Sequence, residues 1–509
     1  MKNIHRSFIP VLLSLLLLLT ACTSGPTAST TTAYVFIHPC EDAHTDQNDD
    51  GQCDICLVSV IATVDFYVLN DLHGKFADTD SQPGVDELST YLKQSAQNDQ
   101  YSMFLSSGDM WQGSSESNLT SGAIVTDWMN EMGFTAMTLG NHEYDWGEEA
   151  VESNAERANF PFLAINIYDR ETDRRVDYAE ASTLVDYGDI QIGIIGAMGD
   201  CYSSIAADKV EDIYFQTGAQ LTALVKAESD RLKEAGADFI VYSIHDGHGS
   251  SGGNFIPDNK LSSYYDPSLS EGYVDLVFEG HSHQRYTLVD SHGVHHLQGG
   301  GDNKGITHAE VEINLISGDS RVHTAEFVST DVYANMADDP IVSNLLERWD
   351  KIISEANRVV GHNPTYRNSD SLKQLVADLY YQAGVDRWGK EYPIALGGGF
   401  ISVRSPYNLN RGEVTYGDLQ MLLPFDNPLV LCSIKGSDLS RRFINTSNSS
   451  YFICCNQEMT AHIDPNATYY IVTDTYCSSY APNRLTVVAE YDAGVYARDL
   501  VADWLSSLG

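Results

Sequence analysis

The residues best suited to chemistry are Asp71, His73, Asp109, Asn141, His245, His281 and His283. They occur in five pieces: Asp-x-His, Gly-Asp, Gly-Asn-His-Glu, a single His, and Gly-His-x-His. Singly these mean little. Gly-Asp also makes turns, and an isolated histidine is more often structural than a ligand. Together, each follows a predicted apolar strand, and strand ends in open α/β sheets converge on one crevice. Carboxylate, neutral amide and imidazole donors meeting there could enclose two divalent cations without excess negative charge, with an aspartate bridging them. Two ions about 3.5–4 Å apart activate a water and clamp a phosphoryl group. Such donors accept Mn, Zn, Fe, Co or Mg, so the identity of the metals stays open.

The elements that must position these donors alternate between short apolar strands and amphipathic helices. Ala62 to Leu69 reads as a strand ending at Asn70-Asp71, and Met103 to Leu105 as a second, followed by Gly108-Asp109. Ala136 to Leu139 leads into Gly140-Asn141-His142. Further strands are predicted at Phe162 to Ile167, Ile190 to Ile195, Phe239 to Ile244, Leu276 to Phe278 and His308 to Leu315. Helical spacing marks Val85 to Ala96, Ile124 to Met132 and Ala219 to Ala235. This is a mixed sheet packed by helices, an α/β layered domain. Glycine in the third and fifth pieces lets backbone and donors crowd together. Asp339-Pro340 opens one more helix through Ile353, a bridge to a second region with its own helix, Ser371 to Ala383.

In this order the pieces resemble the calcineurin-like metallophosphoesterases. Asn70-Asp71-Leu72-His73-Gly74 and Gly140-Asn141-His142-Glu143-Tyr144-Asp145 resemble, more narrowly, the 5′-nucleotidases, UDP-sugar hydrolases and 2′,3′-cyclic phosphodiesterases. The resemblance spans roughly 62–500. It implies a four-layer α-β-β-α sandwich plus a smaller α/β C-terminal domain. It also implies that Asp71, His73, Asp109 and His283 hold one metal, and Asp109, Asn141, His245 and His281 the other. His142 would contact phosphoryl oxygens, and Asp145 would orient it and favour its protonated form. Water then attacks phosphorus in line, without a covalent intermediate.

The second region resembles the nucleotidase C-terminal domain, which binds the nucleoside. Arg367 precedes the helix, Gly397-Gly398-Gly399 and Arg404-Ser405-Pro406 resemble the glycine loop and second arginine, and Pro424-Phe425-Asp426-Asn427 resembles the turn whose Phe stacks on the base. Guanidinium forks suit phosphate, and an aromatic face suits any nucleobase. Two departures stand out. Leu396 and Gly397 replace the usual Asn before the glycine loop, and Tyr476 to Asn483 replaces a late Gly-Gly-Asp-Gly. Tyr476 or Tyr480 is then the other half of a base clamp, and no aspartate is expected at the ribose position. The expected activity is phosphate release from nucleotides. The alternatives are hydrolysis of cyclic nucleotides, UDP-sugars or non-nucleotide phosphoesters, or a binding lipoprotein without turnover.

With 30 Lys+Arg against 71 Asp+Glu, the 509-residue chain carries a net charge of −41, which argues against polymeric nucleic acid as a partner. The expected partner is a small phosphoester; oligomeric state is not fixed by the sequence. Lys2, Arg6 and the apolar run Phe8 to Leu19 mark an export signal over residues 1–21. Leu19-Thr20-Ala21-Cys22 resembles a bacterial lipobox, which implies a lipid on Cys22 and an extracytoplasmic, membrane-anchored protein. A Ser/Thr-rich tether covers 22–37, a Cys/Asp-rich cassette 38–58, the catalytic domain 60–335, the linker helix 336–360 and the second domain 361–509. In the cassette, Asp46, Asn48, Asp50 and Gly51 match the opening of a calcium loop, though Leu57 takes its twelfth position. Cys40, His44, Cys53 and Cys56 equally form a zinc set, or a disulfide-stapled spacer. A disulfide is also expected among Cys432, Cys454, Cys455 and Cys477.

Overall fold

A computed structural model describes residues 44–48, 50–76, 84–247, 272–290, 292–404, 407–446, 450–479, 485–491 and 495–508. The predicted export signal, Cys22, the tether, Cys40 and Tyr480 lie outside the described residues. The chain forms two compact units: residues through Ala62 with Ile313–Asp319, and Thr63–Glu312 with Ser320–Gly509.

Two six-stranded sheets carry the strands that precede the candidate donors. The first runs Ser320–Ser329, Gly305–Asn314, Ile61–Leu69, Tyr101–Ser106, Ala136–Thr138 and Phe162–Leu163. Its last four strands are parallel. The second runs Arg285–Val289, His295–Gly299, Leu276–Glu279, Phe239–His245, Gln191–Met198 and Ser182–Asp186, parallel at its centre and antiparallel at both edges. Central strands such as Phe239–His245 are buried along their whole length, as parallel strands covered on both faces must be.

The sheets pack face to face. Phe66 meets Phe239 and Phe278 at centroid distances of 6.4 and 6.0 Å, and Thr138 Oγ1 donates to Ser243 Oγ at 2.7 Å. On the outer face of the first sheet, Leu88, Leu92, Ile124 and Trp128 join Tyr67, Leu69 and Phe104 in one core. On the other side, Leu221, Val225 and Leu232 pack with Ile195, Ile240 and Tyr242. The helix–sheet–sheet–helix order expected from the family resemblance is therefore the observed one.

Two elements differ from the sequence-based expectation. Phe162 to Ile167 is not one strand: it divides into Phe162–Leu163 and Ile167–Asp169, the latter in a small sheet with Arg174–Arg175 and Ile213–Phe215. The chain crosses between sheets there, with Ile165 N donating to Gly196 O at 2.8 Å. The Asn166 side chain completes the crossing by bonding both the N–H and C=O of Met198. The helix Pro340–Ile353 begins as expected, with the Asp339 side chain accepting from Ile341 N. It is more than a bridge: Ile341, Val342 and Leu345 enter the core of the first sheet, and Trp349 Nε1 donates to Asp127 Oδ2 at 3.0 Å.

The C-terminal region has a five-stranded sheet in the order Tyr451–Cys455, Ile394–Phe400, Thr468–Asp474, Leu429–Lys435 and Thr486–Glu490, covered by the helix Ser369–Trp388. The expected disulfide is not formed: Cys432, Cys454, Cys455 and Cys477 are all thiols. Among the described residues, no helix is long and apolar enough to cross a membrane.

Candidate active site

All seven candidate donors sit at or just beyond the carboxyl ends of strands. Asp71 and His73 follow Ile61–Leu69, Asp109 follows Tyr101–Ser106, Asn141 opens a turn after Ala136–Thr138, His245 ends its strand, and His281 and His283 follow Leu276–Glu279. Of these, Asp71, His73, Asp109, His281 and His283 have φ between 50° and 66°. Left-handed backbone at a non-glycine residue costs on the order of 1 kcal/mol, and such conformations concentrate where side chains must be aimed. Glycine permits the crowding. A Cβ at Gly140 would lie 2.6 Å from Asp109 N, and one at Gly280 would lie 2.7 Å from Ser107 O.

The donors converge. His73 Nε2 lies 3.0 Å from His283 Nε2, 3.9 Å from Asp71 Oδ1 and 4.0 Å from Asp109 Oδ2. His283 Nε2 is 3.3 Å from Asp71 Oδ1. On the other side of Asp109, its Oδ2 lies 3.1 Å from His245 Nε2, and Asn141 Oδ1 is 3.0 Å from His281 Nδ1. Asp71, His73 and His283 thus form one group able to hold a cation, Asp71, Asp109 and His245 another. Asp109 faces both histidine sets.

Outer contacts fix which nitrogens face inward. His73 Nδ1 donates to Gln112 O at 3.0 Å, and His245 Nδ1 to Ser107 O at 2.6 Å. This directs both Nε2 atoms at carboxylates, the arrangement typical of metal-binding histidines. His245 Nε2 is fully buried beside Asp109 Oδ2, without a well-aligned hydrogen bond to it. A proton or a metal ion at that atom answers the same need for positive charge beside Asp109. Burial works against charge on His245, yet Asp109 raises its pKa to about 10. Burial also opposes ionisation of Asp109, but the His245 and His142 rings hold its carboxyl well below the usual range. Burial and the neighbouring His283 push His73 far down, and burial with His245 lowers His281 to about 4. The donor chemistry fits a pair of divalent cations: buried carboxylates, a neutral amide oxygen, and imidazoles with inward lone pairs.

His142 stands beside this cluster. Its N–H donates to Asp109 Oδ1 at 2.8 Å, and its Nδ1 bonds Asp145 Oδ2 at 2.8 Å, which leaves Nε2 directed away from Asp145. Arg404, from the C-terminal region, contacts that Nε2. The Arg404 guanidinium also lies 5.5 Å from the Phe425 ring centroid, and Phe425 is 6.3 Å from the His142 ring with 30° between their planes.

Phe425 and Tyr476 line one cavity with Phe400, Leu423 and Asp474. Arg498 braces the Phe425 turn by pairing with Asp426 and donating to Pro424 O at 3.3 Å. Asp474 also lines this cavity, but its oxygens already accept from Tyr380 Oη and Cys477 N. Arg367 lies elsewhere: its guanidinium sits 5.0 Å from Trp504, and it is not among the residues lining the cavity.

Sequence reasoning missed Glu143. It is fully buried, and its carboxylate accepts from Asp109 N at 2.9 Å, Met110 N at 2.8 Å and Gly140 N at 2.7 Å, tying two donor loops together. Burial and the nearby Asp109 raise it to about 7. Its place in the Gly-Asn-His-Glu piece was the available signal. Asn70, just before the first aspartate, donates to Asp71 Oδ2 at 2.6 Å.

Paired sheets that gather oxygen and imidazole donors at their strand ends define a metallophosphoesterase, a class that works with two divalent metals. Residues 64–285 match the calcineurin-like phosphoesterase family, and residues 353–454 match the 5′-nucleotidase C-terminal domain. The chain carries a calcineurin-like phosphoesterase domain followed by a 5′-nucleotidase C-terminal domain, and it is a metal-dependent phosphoester hydrolase. It is 26% identical over 481 residues to Protein UshA of Yersinia enterocolitica, covering 81% of this chain and 84% of that one. It is 32% identical over 186 residues to a 5′-nucleotidase of Vibrio cholerae, covering 36% of this chain and 32% of the relative. In fold it is similar to a putative 5′-nucleotidase from Staphylococcus aureus, with a TM-score of 0.68 at 18% identity, covering 87% and 97% of the two chains.

Proposed function

We infer that the protein is a 5′-nucleotidase, releasing phosphate from nucleotides outside the cytoplasm. The observation that carries this reading is the contact of Arg404 and Phe425 with His142, which sets a cavity with aromatic walls beside the donor cluster. In this reading Asp71, His73, Asp109 and His283 hold one cation, and Asp109, Asn141, His245 and His281 the other. Such a pair, when bound, activates water and neutralises phosphoryl charge. His142, held through Nδ1 by Asp145, presents Nε2 to the phosphoryl oxygens, where charge builds in the transition state. Arg404 meets His142 at the same Nε2 and suits a phosphate oxygen. Phe425 and Tyr476 take the base between them. The names of the relatives agree with this assignment.

A second reading, a phosphoesterase for cyclic nucleotides, UDP-sugars or non-nucleotide esters, draws on Asp474. Both of its oxygens are engaged by Tyr380 and Cys477, so it offers no free carboxylate to a ribose. Purified protein assayed on AMP, UDP-glucose, cyclic nucleotides and bis-p-nitrophenyl phosphate, with and without Mn²⁺ or Zn²⁺, separates these. Highest kcat/KM on AMP is expected; preference for another ester moves the assignment to that class. No turnover under any metal favours a binding protein. The N-terminal pattern further supports a lipid on Cys22 that holds the enzyme to a membrane surface, so Cys22→Ala should move activity into the soluble fraction.

A further inference from the structure

The smaller unit brings together three residues that phosphoester hydrolysis does not use. One ligand atom from each of His44, Cys53 and Cys56 lies within 4.8 Å of the other two, and Cys56 Sγ is 3.3 Å from His44 Nδ1. The main chain builds this arrangement. Leu57 N donates to Cys53 O at 2.8 Å, which closes the Cys-x-x-Cys turn, and Cys53 N donates to Val58 O at 2.9 Å. Asp54 N donates to Thr45 O at 2.7 Å, tying that turn to the residue beside His44.

The acidic run between them acts as connecting turns. Asp46 accepts from Asp50 N at 3.1 Å and Gly51 N at 2.9 Å, and Asp54 accepts from Gln47 N at 2.8 Å. Leu57, where a calcium loop would need its bidentate carboxylate, is apolar and 72% exposed.

Cys53 is fully buried. A thiolate is the form of cysteine that binds metal. Apolar packing does not hold the turn shut, because Ile55, Leu57 and Val58 are all exposed. In a segment with so little core, metal binding contributes folding free energy directly.

We propose that His44, Cys53 and Cys56 hold a zinc ion, a structural site that shares no residue with the phosphoesterase centre and leaves its fourth position to a further donor. Two sulfurs and one imidazole suit Zn²⁺ and exclude the oxygen-seeking Ca²⁺ and Mg²⁺.

The test uses the full chain. Loaded with Co²⁺, it should give a near-ultraviolet thiolate-to-cobalt charge-transfer band, and Cys53→Ser and Cys56→Ser should each remove it. Each substitution should also lower bound zinc, measured by mass spectrometry of the elements, by about one ion per chain, with phosphoester turnover unchanged. A second arm needs no variant: in the wild-type chain, Cys53 and Cys56 should resist iodoacetamide before chelation and react after it, without reductant. Equal zinc content in wild type and Cys53→Ser overturns the proposal. So does alkylation of the two cysteines only after a disulfide reductant, which would make them a staple.

Discussion

In the donor cluster nearly every side chain is held from behind. Gln112 O and Ser107 O fix the rings of His73 and His245, Asn70 fixes Asp71, and Glu143 fastens the loops of Asp109 and Gly140. The C-terminal cavity is built differently. Its walls are mainly aromatic and aliphatic, with Ser402, Asn427 and Asp474 among them, and Arg498 braces the Phe425 turn beneath it. Fixed polar donors suit a transition state, which tolerates little misplacement. Stacking surfaces suit ligand selection, because a ring face accepts any base. The two regions should therefore separate in kinetics, with kcat governed by the first and KM by the second.

The largest expected effect is that of Asp109→Asn, which removes the charge shared by both donor groups. It should lower kcat by about 10³-fold or more and reduce bound metal; a change confined to KM would break the comparison. His142→Ala comes next, at about 10²–10³-fold in kcat with metal content unchanged. Metal loss in that variant would make His142 a ligand instead. Glu143→Gln keeps the shape but turns one acceptor oxygen into a donor facing backbone N–H groups. It should cost about 10–100-fold in activity and weaken metal retention by a similar factor.

Phe425→Ala tests the other side. Loss of one stacking face, worth about 1–3 kcal/mol, should raise KM for AMP, with kcat shifting far less. A fall in kcat as large as that of His142→Ala would show that Phe425 positions His142 rather than the base.

The smallest effect concerns stability away from both regions. Burial lowers the pKa of His296, but bonds to Asp290 and Glu279 more than compensate and raise it to about 9. The fold favours the charged ring, so this contribution is full below pH about 6.5 and is lost as pH rises through about 9. Its size is on the order of 1 to 3 kcal/mol. Thermal melts between pH 7 and 10 should show a decline that His296→Gln flattens; equal slopes would remove the assignment.

Much of the catalytic region was legible in the linear chain. Asp71, Asp109, Asn141 and His281 each follow an apolar run that can only be a buried strand, and chain connectivity places them at strand ends. Arg367 was less legible. Its position before a helix resembled a substrate contact, yet packing sends its guanidinium to Trp504. The Asp474 carboxylate escaped notice because it precedes the altered Tyr476 segment, and only the strand Thr468–Asp474 delivers it to the cavity. The expected C-terminal disulfide failed for a similar reason: count and compartment permit a bridge, but geometry decides it.

By itself, then, the sequence determined the donor types, their order and the strands that carry them, because hydrophobic period and side-chain chemistry are local properties. The tertiary structure alone decided which donors touch, that Glu143 joins two of their loops, that Arg404 meets His142, and that Pro340–Ile353 packs into the first core. Those are distances between residues remote along the chain, and they follow from how two sheets and their covering helices pack.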